Sequence, residues 1–380
     1  MSKVKLGDVA IEHKETCKGS KDGYPIVGLE HLVPEEVTLT AWDEGSDNTF
    51  TKMFRKGNVL FGRRRAYLKK AAVAPFDGIC SGDITVIEAI PDRIFPELLP
   101  FIIQNDELFD FAVGKSAGSL SPRVKWEHLK NYEFELPDMD KQRELAELLW
   151  AMDATKKSYQ KLIAATDELV KSQFIERFGK PGTDPFRWGL TTLGKCCELN
   201  PRKPKGINTD DSYSFVAMPS VSEDGRIDAS VERPYAEVCK GFTYFAENDV
   251  LFAKITPCME NGKGGVAKGL KNGVGFGSTE FHVLRPIKGV SDPYWLYIIT
   301  MFSKFRSDAE KVMTGTGGQR RVPITYLSEY SITLPPIELQ EQFAAFVRQS
   351  DKSKFAVQRC LNQNIKLRKQ RDLQWKMGGK

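Results

Sequence analysis

The most constraining feature of this sequence is that its second half repeats the pattern of its first half. The matched segments are 6–8 with 193–195, 57–61 with 248–252, 81–87 with 278–284, and 123–137 with 321–335. The offset between matched residues grows from 187 to 198 along the chain, as small insertions in loops would produce. A repeat of this length predicts two similar globular units in one polypeptide, each with its own core.

Composition and charge exclude a membrane protein and a disordered chain. The 380 residues are 41% hydrophobic and 28% charged with a net charge of +5, and this length suits two or three domains. The longest apolar stretch, 294–302, is far shorter than the roughly 20 residues of a membrane-spanning helix. Residues 1–15 contain no apolar core of a signal peptide, so the sequence predicts a cytoplasmic protein.

Cysteine and histidine spacing gives no sign of a metal site or of disulfides. Seven cysteines are scattered without a repeated CxxC pattern, which indicates reduced thiols. The four histidines, His13, His31, His128 and His282, lie in unrelated sequence contexts. We therefore expect no bound metal and no cofactor.

A long helix is predicted after each repeat, because Gly and Pro become rare there and apolar residues recur at heptad spacing. The first helix is expected over 138–179, with Gly179 and Pro181 ending it. Residues predicted to form the seam of the helix pair are Leu145, Leu148, Met152, Tyr159, Leu162 and Leu169 in the first helix and Phe343, Phe346, Val357 and Leu367 in the second. About 40 residues correspond to about 60 Å of helix.

Neither helix can bury its seam without a partner, and the partner is open to two interpretations. Periodicity alone is compatible with a coiled coil between two copies of the chain. The repeat favours antiparallel pairing of the two helices within one chain, about a pseudo-two-fold axis. In that arrangement the helices act as a spacer between the globular units.

A cationic loop follows one predicted strand in the first unit. Residues 61–70 contain five cations, among them Arg63, Arg64, Arg65 and Lys69. Arginine at the end of a strand suits phosphate contacts and bidentate recognition of guanine, although a solvated charged loop would have the same composition. The matched loop 253–265 has a different chemistry, with Lys254, Thr256 and Lys263, as expected if the two units recognise different targets.

A second matched loop precedes the last strand of each unit. It covers 115–124 in the first unit and 314–322 in the second, and both segments contain glycine. Glycine allows close approach of the backbone to a phosphate, and Ser, Gln and Arg side chains donate to phosphates or base edges. A tight surface turn is the structural alternative. The candidate DNA-contacting residues here are Ser119, Arg123, Gln319, Arg320 and Arg321.

Motifs of nucleotide-dependent enzymes are missing from the sequence. The glycines after Thr314 continue into Gln-Arg-Arg-Val-Pro and not into a helix whose N-terminus would bind phosphate. Asn200-Pro201-Arg202 lacks the remaining residues of an amino-methyltransferase tetrapeptide, and Glu12-His13-Lys14 is a weak match to a metal-nuclease pattern. We expect no catalytic residues in this chain. The alternatives are a single-chain DNA methyltransferase or nuclease, and a coiled-coil adaptor without a nucleic-acid partner.

The order of these segments resembles the specificity subunit of type I restriction and modification systems. The resemblance covers the whole chain and is carried by the duplicated Asn/Asp-Val-Leu-Phe strand, LPDMDKQRELAELL (136–149) with LPPIELQEQFAAFV (334–347), KSQFIERFG (171–179), DVLFAKITPCMENGKG (249–264) and GFGSTEFHVLRP (275–286). It implies an α/β fold with two similar target recognition domains that contain mixed β-sheets, separated by two long antiparallel helices that form an intramolecular coiled coil.

The resemblance also implies domain boundaries, a function and partners. The expected domains are a recognition domain at 1–137, a central helix at 138–179, a second recognition domain at 180–335 and a C-terminal helix at 336–380. Each recognition domain would bind one half of a bipartite, asymmetric site in double-stranded DNA. Two modification subunits that carry S-adenosylmethionine would dock on the helices, with two ATP-driven restriction subunits as optional further partners.

Overall fold

A computed structural model describes residues 2–45, 48–316 and 318–376 of the chain, with side chains up to Leu367 in the last helix. The remaining positions of the expected domains, including Gly317 of the second matched loop and residues 377–380 of the C-terminal helix, lie outside the described residues. The chain divides into two compact units. Unit 1 comprises Met1–Lys161 and Gln358–Lys380, and unit 2 comprises Leu162–Val357.

In its described residues, unit 1 contains three small sheets and short helices before the first long helix. Its strands are β1 (Ser2–Lys5), β2 (Ala10–Glu12), β3 (Ile26–Val27), β4 (Lys52–Phe54), β5 (Val59–Gly62), β6 (Ala71–Val73), β7 (Gly78–Cys80), β8 (Ile84–Ala89) and β9 (Glu133–Leu136). Its helices are α1 (Leu6–Val9), α2 (Leu99–Ile103), α3 (Asp106–Gly114), α4 (Trp126–Leu129) and the first part of α5 (Met139–Phe178).

Unit 2 follows the same order of elements and, in the described residues, adds one strand and one helix. Its strands are β10 (Leu190–Thr192), β11 (Cys197–Leu199), β12 (Ser212–Val216), β13 (Glu232–Pro234), β14 (Thr243–Ala246), β15 (Val250–Ala253), β16 (Gly264–Val266), β17 (Val274–Gly277), β18 (Phe281–Pro286) and β19 (Ser331–Thr333). Its helices are α6 (Leu193–Cys196), α7 (Tyr235–Val238), α8 (Pro293–Met301), α9 (Ser303–Lys311), α10 (Ile324–Glu329) and the first part of α11 (Ile337–Lys376).

The sheet topologies confirm the repeat and the mixed sheets. Strand order β2-β8-β5-β6 in unit 1 corresponds to β11-β18-β15-β16 in unit 2, and β1-β9 corresponds to β10-β19. The sheet β3-β7-β4 corresponds to β12-β17-β14, to which unit 2 adds β13. In both of these sheets one pair is parallel, β3 with β7 and β12 with β17, and the other pairs are antiparallel.

The structure explains why the repeated motif Asn/Asp-Val-Leu-Phe begins with a polar residue. Asn58 and Asp249 are buried at the turn before β5 and β15. The Asn58 side chain accepts the Arg55 amide (2.8 Å), and the Asp249 carboxylate accepts the Ala246 amide (2.7 Å). A short polar side chain that closes this turn directs the following apolar residues into the core, where all four residues of each strand are buried.

Both long helices have 40 residues in the described part of the chain, and α5 begins and ends where the sequence predicts. The Asp138 carboxylate accepts the Lys141 amide at the first turn (3.1 Å). Gly179 adopts a φ of 79° and its amide donates to the carbonyl of Ile175 (2.8 Å), which closes the C-terminus. Within the described residues, no helix is both long and apolar enough to span a membrane.

The two long helices pair antiparallel within the chain, because late residues of α5 contact early residues of α11. In unit 2 the ring of Phe343 packs edge-on against Phe174 and Phe178, with centroids 5.5 and 5.3 Å away. Further along, Lys354 forms an ion pair with Asp167 (2.8 Å). In unit 1 the same antiparallel order brings residues 152–156 and 364–365 to the walls of one small cavity.

The predicted seam is displaced by one residue in the structure. Leu162, Leu169 and Leu367 have half of their surface exposed, so their assignment to a buried seam is wrong. Leu145, Leu148, Met152, Tyr159 and Val357 are only partly buried, whereas Phe343 is fully buried and Phe346 packs against the same core. The buried heptad positions are Gln142, Ala146, Leu149, Asp153, Lys156, Val170 and Phe174 in α5 and Gln340, Ala344, Val347 and Leu361 in α11. Polar residues occupy several of these positions, which hides the seam from a hydrophobicity pattern.

Candidate nucleic-acid interface

The two loops predicted to contact DNA lie side by side in unit 1. We call residues 63–70 and 254–263 the strand-end loops and residues 115–124 and 314–322 the glycine loops. In unit 1 the Arg65 amide donates to the carbonyl of Pro122 (2.8 Å), and the Val124 amide donates to the carbonyl of Arg63 (3.0 Å). The pair of loops therefore forms one continuous backbone surface.

Unit 2 builds the same surface with matched hydrogen bonds. The Thr256 amide donates to the carbonyl of Arg320 (3.0 Å), and the Val322 amide donates to that of Lys254 (2.9 Å). Each bond joins residues that correspond to those of the bond in unit 1. The repeat therefore reproduces the juxtaposition of two loops as well as the sheets beneath them.

A carboxylate that sequence reasoning missed lies at the centre of this surface in unit 1. Asp83, at the start of β8, accepts from Arg123 through Nε (2.7 Å) and Nη2 (3.3 Å), and from Arg64 through Nη1 (3.3 Å). Arg64 also donates from Nε to the hydroxyl of Ser121 in the glycine loop (3.0 Å). The hydrogen bond from Arg123 is the main reason that the pKa of Asp83 is lowered.

Glu280 takes the equivalent position in unit 2. Arg321 donates to it from Nε (2.9 Å) and from Nη2 (2.7 Å), a bidentate pair. The hydrogen bond from Arg321 lowers the pKa of Glu280. In both units the hydroxyl of the serine two residues earlier, Ser81 or Ser278, accepts the amide of the carboxylate residue.

The predicted contact residues in unit 1 therefore differ in availability. Arg64 and Arg123 are engaged with Asp83, and Lys69 is paired with Asp106 (2.6 Å). Among the described residues, Arg65 has no ion pair or side-chain hydrogen bond. The residue is exposed, and its backbone adopts a left-handed conformation with a φ of 54°. Ser119 is also exposed, next to Leu120 at the tip of the glycine loop.

Arg63 lines an open cleft of about 720 Å³ beside these loops in unit 1. Its Nε is buried without a hydrogen-bond partner among the described residues. Lys14 and Lys52 line the same cleft near the carboxylate of Glu12, at 3.7 and 3.9 Å. These lysines were not predicted, because they come from strands and turns far from the cationic loop in sequence.

In unit 2 most of the predicted contact residues have partners inside the protein. Thr256 donates to Glu260 (2.8 Å), and Arg320 lies between Glu310 (3.5 Å) and Glu260 (3.9 Å). Lys263 donates weakly to a backbone carbonyl (3.4 Å), and burial lowers the pKa of Lys254. Gln319 is exposed at the tip of the glycine loop.

One buried glutamine fixes each long helix to the globular part that precedes it. Gln142 accepts the Phe95 amide (2.8 Å) and donates to the carbonyl of Pro137 (2.8 Å). Gln340 makes the same bonds, to the Asp292 amide (3.0 Å) and the Pro335 carbonyl (2.8 Å). The resemblance pattern contained both glutamines but gave no reason for them.

Lysines two heptads further along make the second attachment. Lys156 donates to the carbonyl of Glu35 (3.0 Å) and to the carboxylate of Glu36 (2.8 Å) in unit 1. Lys354 donates to the carbonyl of Asp224 (3.2 Å) in unit 2, besides its ion pair with Asp167. Each helix is thus held at two points, which restricts its rotation on its own globular part.

The structure brings one histidine close to two carboxylates, a group of residue types that can ligate a metal. The ligand atoms of Glu30, His31 and Asp43 lie within 4.8 Å of one another. However, Nδ1 of His31 accepts the Gly28 amide (3.0 Å), which leaves the proton of a neutral ring on Nε2, 3.5 Å from Asp43. A metal ligand normally donates from its second nitrogen, so the geometry suits a hydrogen-bonded turn.

Comparisons with known proteins extend over most of the chain. Residues 1–165 and 187–367 match a family model described as type I restriction modification DNA specificity domain. The specificity subunits of the Escherichia coli type I restriction enzymes EcoEI and EcoAI are 40% identical over 159 residues and 38% identical over 165 residues. These segments cover 41% and 43% of this chain and 26% and 28% of the relatives, so the match spans about a quarter of each relative's length.

A solved structure shows the same fold. The crystal structure of a type I restriction-modification system S subunit from M. genitalium superposes with a TM-score of 0.55. It covers 98% of this chain and 95% of that chain at 11% identity. The agreement is one of architecture.

Proposed function

Because the chain belongs to the family of type I restriction modification DNA specificity domains, we propose that it is the DNA-recognition subunit of a type I restriction and modification complex. In this proposal the chain has no catalytic activity. Unit 1 recognises one half of a bipartite site in double-stranded DNA, and unit 2 recognises the other half.

The observation that carries the proposal is the duplicated pair of loops with divergent side chains. Backbone hydrogen bonds and the central carboxylate are the same in the two units, whereas Arg63, Arg64 and Arg65 correspond to Lys254, Ile255 and Thr256. Loops that share their backbone hydrogen bonds but differ in their side chains suit recognition of two different base sequences. The expected domains, with helices at 138–179 and 336–380, belong to this proposal.

The proposed partners follow from the family and from the charge of the chain. A net charge of +5 supplies few phosphate contacts, so DNA affinity of the chain alone is weak and dependent on salt. Two modification subunits, which bind S-adenosylmethionine, dock on the paired helices and supply the remaining contacts to DNA. Two restriction subunits are optional further partners, and the complex is cytoplasmic.

The test is methylome sequencing of a host that carries this chain with its modification subunit. We expect methylated adenines in one bipartite motif with a fixed gap. The double substitution R63A/R65A should lose recognition of one half of the motif, because among the described residues these two arginines of the strand-end loop form no ion pair, whereas Arg64 and Lys69 do. R93A, an exposed arginine outside both loops, is the matched control and should leave the motif unchanged.

The enzyme alternative makes the opposite prediction for the purified chain. Incubated alone with DNA, S-adenosylmethionine and Mg²⁺, the chain should neither methylate nor cleave DNA. Either activity without partners would contradict the proposal. An R63A/R65A complex that retains both half-sites would contradict the assignment of unit 1.

A further inference from the structure

The arginines of the glycine loops have two possible roles, and their geometry separates them. Arg123 and Arg321 were predicted to contact DNA, yet each forms a bidentate pair with a carboxylate of its own unit. The side chains of Asp83 and Glu280 are mostly buried, with 19% and 23% of their surface exposed. An arginine that also bound phosphate would have to share or abandon this pair.

The backbone around each arginine shows what the pair holds in place. Arg123 exchanges two hydrogen bonds with Ala117 across the glycine loop (2.9 and 3.0 Å), and Arg321 does the same with Thr314 (2.8 and 3.0 Å). The carboxylate residue is tied to the strand-end loop, since the Arg63 amide donates to the Asp83 carbonyl (3.0 Å) and the Lys254 amide donates to that of Glu280 (2.9 Å). The ion pair therefore connects the two loops through their side chains at the point where their backbones meet.

We propose that Asp83 and Glu280 are positioning residues that lock Arg123 and Arg321, so that the glycine loop and the strand-end loop of each unit meet DNA in a fixed arrangement. The locked arginines act on DNA only through the loops they hold. This inference rests on the proposed function, because it assigns a role within the same DNA interface. The same carboxylate–arginine pair occurs in both units, with Asp in one and Glu in the other. This repetition independently supports the proposal.

Substitution of the carboxylate distinguishes the positioning role, which we call the lock, from direct contact of the arginine with DNA. The two roles predict opposite changes in DNA affinity. If Arg123 binds phosphate, Asp83→Asn releases it and removes a negative charge, so DNA binding becomes tighter. If Asp83 is a lock, the same change frees the glycine loop and weakens binding at least tenfold at the half-site of unit 1. The half-site of unit 2 should be unaffected, and Glu280→Gln should show the reverse pattern.

The experiment uses the full chain with its modification subunits and labelled duplexes that carry the methylome-defined motif, intact or with one half scrambled. Dissociation constants are measured from 50 to 200 mM salt. Asp77→Asn is the matched control in unit 1, because Asp77 pairs with Arg55 (2.9 Å) outside both loops. Glu232→Gln, which disrupts the pair with Lys271, is the control in unit 2.

Three further variants keep the test decisive if Asp83→Asn does not fold. Arg123→Lys keeps the charge but cannot form the bidentate pair, so the lock predicts weaker binding with an unchanged salt slope. A direct phosphate contact predicts nearly unchanged binding for Arg123→Lys and, for Arg123→Ala, a salt slope lower by about 0.9. Asp83→Glu introduces the residue that unit 2 uses. Its affinity for DNA should stay within about threefold of the parent, because glutamate can also form the bidentate pair with Arg123.

Tighter or unchanged binding of both Asp83→Asn and Glu280→Gln would overturn the lock. Failure of the parent complex to bind any DNA would instead remove the proposed function. In that case hydrogen exchange still decides the lock. The amides of Ala117 and Thr314 should exchange at least tenfold faster in the Asp83→Asn and Glu280→Gln chains, and unchanged exchange would contradict the lock.

Discussion

At the scale of single residues, His282 illustrates how the two units diverge at equivalent buried positions. His282 in β18 corresponds to Thr85 in β8, and both are buried. The ring donates from Nε2 to the carbonyl of Val322 (2.8 Å) and contacts the Asn200 amide nitrogen through Nδ1 (3.2 Å). Burial is the main reason that the pKa of His282 is lowered to about 4.

This shift predicts that unit 2 loses stability in mild acid. The folded state keeps His282 neutral, whereas in the unfolded chain its pKa is near the ordinary 6.5. The contribution of His282 is therefore complete above pH 6.5 and is lost as the pH falls from 6.5 toward 4. At pH 5.5 the loss should be about 1 kcal/mol.

Hydrogen exchange at pH 7.5 and 5.5, corrected for the intrinsic exchange rates, measures this effect. Protection of β18 amides should decrease relative to β8 amides, whose unit has Thr85 at this position. H282Q keeps a donor and an acceptor without titrating, so it should remove most of the difference. Equal loss of protection in both strands would contradict the assignment to His282.

At the scale of elements, the seam of α5 shows why hydrophobic residues alone do not locate a helix interface. Leu162 and Leu169 fit a heptad pattern but are half exposed, whereas Val170 and Phe174, in a register one residue later, are buried. The true register includes Asp153 and Lys156, whose burial is supported by an ion pair and by hydrogen bonds to unit 1.

Substitutions on the two sides of the helix should have very different effects on stability. Phe174→Ala should reduce the free energy of unfolding by about 3–5 kcal/mol, because it removes a buried ring packed against Phe178, Phe302 and Phe343. Leu162→Ala should cost less than about 1 kcal/mol, because half of Leu162 is already in water. Urea denaturation of the full chain compares the two variants, and similar losses would contradict the revised seam.

At the scale of the whole molecule, the chain combines two similar units that each include a stretch of both long helices. Neither helix could bury its seam alone, and the antiparallel order of contacts satisfies both within one polypeptide. The proposed function adds a geometric requirement, since helix length then sets the distance between the two half-sites.

Shortening both helices tests this requirement. Deletion of one heptad from each helix, near Lys161 and near Val357 where the units divide, removes about 10 Å of helix. The gap in the methylated motif should shorten by about 3 base pairs, at 3.4 Å per pair, while both half-sites stay the same. Deletion from α5 alone is the control and should abolish assembly, because the pairing register is lost. An unchanged gap after the double deletion would contradict a spacer role.

The sequence by itself determined the features that depend on local or repeated patterns. The repeat predicted two similar units, and the position of the loops followed from the strand motifs beside them. The limits of α5 were predictable because Asp138 and Gly179 act within one helical turn.

Only the tertiary structure decided which of the candidate residues are available and which are engaged. Asp83 and Arg123 are 40 residues apart, and Glu280 and Arg321 are 41 apart, so no local pattern pairs them. The register of the seam likewise depends on hydrogen bonds from Lys156 and Lys354 to carbonyls in loops that are distant in sequence. A charged side chain is buried or free according to what the fold brings to it, and that is a property of long-range packing.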